Sequence, residues 1–366
     1  MTTDEKFALI TKNLEETLTE GELHSLIDSG EPLRHYIGLE ISGKAHVGWL
    51  FMMMIIKDLQ DADVETNILL ADWHTWLNKK LDGTLETAKR LGRDYFEEAL
   101  KACAISVGAD PDKINFILGS ELYEKLGSSY WATVVKVAKA TTINRMIRST
   151  TIMGRKETEI SDTAMLIYPA MQSADIFALG INLAHAGTDQ RNVHVVAREA
   201  AAELGEKKPV AIHHHLLQGL LQPTLTEDEN GKKVMDMEAA KMSKSKPDSA
   251  IFIHDNDGEI KRKINNAFCP EGEVEFNPIL DWCKYLVLAS QGDALQVLRK
   301  EEHGGNVEYT SYTQLEQDYK DKKLHPMDLK AAVANWLIAK LEPARKYFED
   351  PKRKAALEEI EKLTIK

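Results

Sequence analysis

The sequence predicts an α/β fold, a parallel-sheet domain followed by a helical one. Three observations predict it. Up to residue 255, short apolar runs that read as strands alternate with longer stretches of helical spacing, the pattern of strand–helix–strand units around a parallel sheet. From 256 to 366 the spacing is helical and no convincing strand stands out. The length of 366 residues suits about two domains. The expected division is therefore 1–255 and 256–366.

The elements follow in order. Residues 4–29 alternate polar and apolar at helical spacing, and "DSGEP" ends them. "HYIGLEIS" (35–42) reads as a strand, and the apolar run inside 47–60 as a buried helix. "VETNILLAD" (64–72) is a second strand, 85–106 a long amphipathic helix, and "INFILGS" (114–120) a third strand. More helix spans about 130–155. "INLAHAG" (181–187) and "VAIHHHLL" (210–217) read as strands four and five. The acidic, glycine-containing "TEDENGKKV" (226–234) is a turn or hairpin tip.

Bulk composition narrows the function. With 43% hydrophobic and 28% charged residues the chain reads as a soluble globular protein. Its longest apolar run, "VGWLFMMMII", is too short to span a bilayer. The acidic start "MTTDEKFALI" lacks the basic region of a signal peptide. Cys103, Cys269 and Cys283 are odd in number and widely spaced, so buried free thiols in a reducing cytoplasm are expected rather than a disulfide framework or zinc site. A net charge of −12 argues against general nucleic-acid binding, although it leaves room for a local basic patch.

Three stretches carry candidate chemistry. In "GLEISGKAHVGW" (38–49) a strand turns into a helix. Gly38, Gly43 and Gly48 allow close approach to the backbone, and the helix N-terminus offers free N–H groups to phosphate. His46 in the first turn is either a phosphate donor or a structural histidine. In "YPAMQSADIF" (168–177) Tyr168, Gln172 and Asp175 are spaced four and three apart, on one helix face. That face is unremarkable if exposed and needs a polar partner if buried. "AGTDQRNVH" adds Gln190 and Arg191 beyond a strand end, where open α/β sheets bind ligands. In "KMSKS" (241–245) Lys241 and Lys244, with Lys246 just beyond, bring several positive charges to one loop. Such a loop is either a solvated surface or a grip on a polyphosphate leaving group. "HHH" (213–215) invites a metal reading, but consecutive strand residues face opposite sides.

Together these stretches resemble the class I aminoacyl-tRNA synthetases. "HVGW" is similar to the family's first motif and "KMSKS" matches its second in full. More narrowly the chain resembles tyrosyl-tRNA synthetases of the archaeal and eukaryotic type, through "YIGLEISGKAHVG", "ILLADWHTWLN", "IYPAMQSADI", "GTDQRNVH", "KMSKSK" and "LHPMDLK". The resemblance implies a Rossmann-like catalytic domain followed by an all-helical anticodon-binding domain. It also implies a cytoplasmic ligase, commonly a homodimer, that uses ATP with Mg²⁺ to join L-tyrosine to tRNA(Tyr), with no structural metal.

Carried over residue by residue, Tyr36 and Asp175 would bond the phenol hydroxyl, and Tyr168, Gln172 and Gln190 the α-amino group. Gly38, Gly43, His46, Gly48 and Lys244 would hold ATP, with His46, Lys241 and Lys244 acting on its phosphates. Arg148 and Arg191 would meet the tRNA acceptor end. His325 and Asp328 would read the anticodon, with helix capping the alternative for Asp328. Trp49 stands where the first motif has its second histidine, and Ile41 where many relatives have proline. Three other readings compete: a synthetase-like tRNA-binding paralogue without catalysis, a tryptophan-specific relative, and a small-molecule nucleotidylyltransferase.

Overall fold

The computed structural model describes residues 1–154, 157–227, 231, 233–236, 241–242, 246–289 and 292–364. Helices α1 (Thr3–Thr11) and α2 (Glu20–Asp28) flank strand β1 (Leu14–Leu18). Each helix begins with a capping box, Thr2 with Glu5 and Thr19 with Glu22. This corrects the expectation of one helical stretch over 4–29. Thr19 and Glu22 restart the helix, and the residues before them pair antiparallel with an open sheet edge.

Strand β2 (Arg34–Leu39) leads into α3 (Val47–Asp61), whose apolar run is buried on nearly every side. Then follow β3 (Glu65–Leu70), α4 (Asp72–Leu77), α5 (Leu85–Leu91), α6 (Glu98–Val107) and β4 (Ile114–Leu118). The helix expected over 85–106 is interrupted by a widened turn at Gly92–Glu97, where a side-chain carbon on Gly92 would lie 2.9 Å from Ile41. Next come α7 (Gly119–Leu126), α8 (Ser128–Ala140) and α9 (Ile143–Ser149). The helix expected over 130–155 breaks at Thr142, which caps α9 by accepting from the Arg145 amide at 3.3 Å. Helix α10 (Tyr168–Ala178), β5 (Leu183–Gly187), α11 (Arg191–Leu204) and β6 (Val210–His214) complete this part.

The sheet order is β1-β6-β5-β2-β3-β4, parallel except for β1. From β2 the chain builds outward to β4, then returns to place β5 on β2's other side. The crevice at that reversal, beyond the carboxyl ends of β2 and β5, is where such sheets bind ligands.

Strands β7 (Leu225–Glu227) and β8 (Lys233–Met235) pair antiparallel, as the expected hairpin requires. The remainder is mainly helical: α12 (Asp257–Asn266), α13 (Pro278–Trp282), α14 (Tyr312–Lys320), α15 (Pro326–Tyr347) and α16 (Pro351–Thr364). One antiparallel ladder, β9 (Leu295–Val297) with β10 (Val307–Tyr309), qualifies the expectation of helix alone. Three residues per strand are too few for alternation to show in a sequence. Helix α15 packs on α6 and α12. Helix α16 is tied to the front of the molecule by Glu361 to Lys44 at 2.9 Å and Arg353 to Glu98 at 2.6 Å. No described helix is long and apolar enough to cross a membrane.

Candidate active site

A cavity of about 320 Å³ opens at the reversal of strand order. Its walls carry Tyr36, Gly38, His46, Gly48, Tyr168, Gln172, Gln190 and Lys241. The end of β2 comes so close to its own Tyr36 that a side-chain carbon on Gly38 would sit 2.6 Å from the phenol oxygen. Glycine there leaves the hydroxyl its place.

The closed end is built by α10, α4 and α8. The four-and-three spacing on α10 does put Tyr168, Gln172 and Asp175 on one face, with Tyr168 and Gln172 at the cavity wall and Asp175 fully buried. The Tyr130 hydroxyl donates to Asp175 Oδ1 at 2.9 Å. Asp175 Oδ2 lies 3.7 Å from His74 Nε2, beyond hydrogen-bond range. Among the described residues, neither Oδ2 nor either ring nitrogen of His74 has a hydrogen-bond partner. Burial pushes the Asp175 carboxyl up to about 7, against the pull of the Tyr130 and Tyr123 hydroxyls, and Asp72 adds to the rise. Burial takes His74 down to about 3, so its ring is neutral. The Tyr36 phenol is pushed well above its usual value by burial and by Asp175.

The neighbouring wall is pre-ordered. The Tyr168 hydroxyl donates to Glu40 Oε1 at 2.9 Å, and Asn78 Nδ2 donates to the same oxygen at 2.7 Å. Gln172 Nε2 donates to Gln190 Oε1 at 3.2 Å, and Gln190 Nε2 to the Ile152 carbonyl at 3.0 Å. His74, Tyr130, Glu40 and Asn78 escaped the sequence reading. His74 lies inside the quoted "ILLADWHTWLN", but a lone histidine in an apolar stretch has no periodicity to mark it.

The open end is made by the turn before α3 and by the lysine loop. His46 is the N-cap of α3, its Nδ1 accepting from the Gly48 amide at 3.2 Å. A side-chain carbon on Gly48 would lie 2.9 Å from the His46 ring and 3.1 Å from Met242. Gly43 takes a φ of +63° in the turn before it. Trp49 packs its indole on Phe96 with centroids 4.7 Å apart. Lys241 Nζ meets Asp189 Oδ2 at 2.9 Å, both side chains about one-third exposed at 32% and 31%. Lys244 lies outside the described residues.

Besides Asp175 and Gly43, four expected residues do not line the cavity. Arg148 is exposed in the last turn of α9. Arg191 begins α11 and donates from Nε to the Glu16 carboxylate at 2.8 and 2.9 Å. His325 caps α15, its Nδ1 accepting from the Met327 amide at 3.1 Å. Asp328 sits in that helix's first turn and is not its cap, which corrects the capping alternative. The three consecutive histidines go separate ways: His213 to His194 at 3.1 Å, His214 to His185 at 2.8 Å, and His215 to Asp281 at 2.8 Å. Cys103, Cys269 and Cys283 are buried free thiols.

Comparison with known proteins places this geometry. The family tRNA synthetases class I (W and Y) matches residues 28–342. The tyrosine–tRNA ligase of Thermococcus kodakarensis is 48% identical over 361 residues, covering 95% of this chain and 96% of that protein. That of Aeropyrum pernix is 42% identical, covering 98% and 97%. The crystal structure of tyrosyl-tRNA synthetase from Pyrococcus horikoshii with L-tyrosine superposes with a TM-score of 0.93 at 45% identity, covering 99% of this chain and 100% of that one. A tryptophanyl-tRNA synthetase from Aeropyrum pernix, at 18% identity and a TM-score of 0.68, covers 95% and 85% and shares the fold.

Proposed function

We infer from the family to which this chain belongs, the class I tRNA synthetases for tryptophan and tyrosine, that it is a tyrosine–tRNA ligase. A tyrosine carboxylate oxygen attacks the α-phosphorus of ATP, pyrophosphate leaves, and tyrosyl-adenylate forms. A hydroxyl of the terminal ribose of tRNA(Tyr) then attacks the activated carbonyl, and AMP leaves. Mg²⁺ is counted with ATP as substrate. No side chain needs to become covalently attached, so the chain's contribution is positioning and charge stabilisation.

The roles follow the cavity. Tyr36 and Asp175 take the phenol hydroxyl at the closed end. Tyr168, Gln172 and Gln190 hold the ammonium group, for which the pre-ordered side-chain oxygens at that wall are suited. The α3 N-terminus, with His46 and the backbone at Gly38, Gly43 and Gly48, takes ATP. Lys241 and Lys244 take its phosphates as charge builds on the leaving group. Arg148 and Arg191 meet the acceptor end, and His325 with Asp328 reads the anticodon. The catalytic part is 1–255 and the anticodon part 256–366. Val135 and Ile143, exposed at 58% and 75%, support pairing of two copies through α8 and α9. The buried, unpaired thiols suit the cytoplasm.

One observation carries the choice of tyrosine: a fully buried carboxylate oxygen, without a hydrogen-bond partner among the described residues, 3.7 Å from His74 in the cavity wall. A site built to bond a hydroxyl rejects the analogue lacking it, an effect whose standard illustration is tyrosyl-tRNA synthetase itself. The test is ATP–pyrophosphate exchange by the purified chain without tRNA, with tyrosine, phenylalanine and tryptophan supplied separately. Exchange with tyrosine alone is expected. Exchange driven by tryptophan or phenylalanine would overturn the assignment of Asp175, and folded protein inert with all three would favour a non-catalytic tRNA-binding relative.

A further inference from the structure

We propose that His74 is a positioning residue for tyrosine selection: its Nε2–H holds Asp175 as a hydrogen-bond acceptor, so that the pocket demands a hydroxyl on its amino acid. The proposal rests on the ligase reading above and goes one step behind it.

The geometry is specific. His74 lies early in α4, 2% exposed, and lines the cavity. Its ring stands edge-on to Tyr168, centroids 4.6 Å apart at 88°. Nε2 is 3.7 Å from Asp175 Oδ2. Two ring nitrogens of His74 and one carboxylate oxygen of Asp175, all buried, lack hydrogen-bond partners among the described residues, and Nε2 is the nitrogen near that oxygen. Buried polar atoms left so are rare in native proteins and point to a ligand that completes them.

The chemistry decides which arrangement works. A phenol supplies one O–H and accepts through its oxygen. To take that proton, Asp175 must be an ionised carboxylate, whereas burial favours the protonated carboxyl, which donates. Donors to the carboxylate reverse that preference. Tyr130 already donates to Oδ1. A shift of about 0.7 Å would bring His74 Nε2–H into range of Oδ2, leaving further lone pairs there for the substrate. The other titratable groups around Asp175 are Tyr36 on β2, Tyr123 on α7, Tyr130 on α8, Asp72 on α4 and Tyr168 on α10. None is a cation, so the charge is steadied by neutral donors: the Tyr130 and Tyr123 hydroxyls and, facing Oδ2, the imidazole N–H of His74. The ring must carry its proton on Nε2, since the opposite tautomer would set a lone pair against the carboxylate.

The test uses the full chain in pyrophosphate exchange with tyrosine and with phenylalanine, between pH 6 and 9, for wild type, His74→Leu and His74→Gln. Wild-type exchange with tyrosine checks the ligase reading on its own. For His74→Leu, kcat/KM for tyrosine should fall about 100-fold while that for phenylalanine holds, so discrimination collapses. The pH at which tyrosine use rises should move up by about one unit or more. His74→Gln keeps an N–H donor and should recover part of both. A loss shared equally by the two amino acids, with the pH profile unmoved, would make His74 a mere wedge under Tyr168 and overturn the proposal. Should His74→Leu fail to fold, ¹⁵N-histidine NMR of the wild-type chain with tyrosine decides instead. An Nε2–H tautomer at His74 supports the proposal, and an Nδ1–H tautomer overturns it.

Discussion

The two ends of the cavity are built on opposite plans. At the closed end, Tyr36, His74 and Asp175 are buried and Tyr130 already holds one carboxylate oxygen. At the open end, His46 caps a helix, and Lys241 rests on Asp189 with about a third of each side chain in water. Recognition of a small side chain depends on groups fixed before binding, because any slack lets the wrong amino acid in. Stabilising a departing pyrophosphate depends on charge that arrives as the reaction proceeds, because contacts equally good before and after do not speed the chemical step. On the function proposed above, Asp189 is a resting partner that Lys241 would exchange for phosphate oxygens.

The sharpest way to break the contrast is to remove the acceptor at the closed end. Asp175→Ala should lower kcat/KM for tyrosine in pyrophosphate exchange by about 1000-fold, since it deletes the hydroxyl's partner and leaves Tyr130 without its own. The KM for ATP should hardly change. At the other end, Lys241→Ala should lower kcat of exchange about 10- to 100-fold with tyrosine affinity intact, as loss of one charge acting on the leaving group does. If instead Lys241→Ala weakened tyrosine binding and spared kcat, the loop would be part of the ground-state pocket and the two ends would not differ in kind.

Legibility followed the same divide. The four-and-three spacing of Tyr168, Gln172 and Asp175 survives folding because a helix converts spacing into a face. The glycine–histidine turn was readable because strand, turn and helix are consecutive in sequence. His74 was not, since its significance lies in contacts with Asp175 and Tyr168, about a hundred residues away. The pairing of Lys241 with Asp189 is equally invisible, 52 positions apart. Strand β1 was read as helix because its alternation is short and its stability comes from β6, the last strand of the sheet. Capping by Asp328 is suggested by its residue type and its place near Pro326, whereas the extended backbone at the capping position belongs to His325.

The smallest effects separate the two plans by stability rather than rate. Tyr130→Phe removes a 2.9 Å hydrogen bond to a buried carboxylate and adds no bulk. It should cost about 2 kcal/mol in chemical denaturation, the range for hydrogen bonds to charged groups. Asp189→Asn removes the charge opposite Lys241 and leaves both positions partly in water. Solvent screens such a pair and the freed lysine regains its rotamers, so the change should stay under about 1 kcal/mol, within about 2 °C in thermal midpoint. A floor fixed before binding must draw on native-state interactions, so weakening it loosens the fold. If Lys241 turns to ATP as proposed, its contact with Asp189 is not one the fold relies on, and an Asp189→Asn cost equal to that of Tyr130→Phe would show that it is.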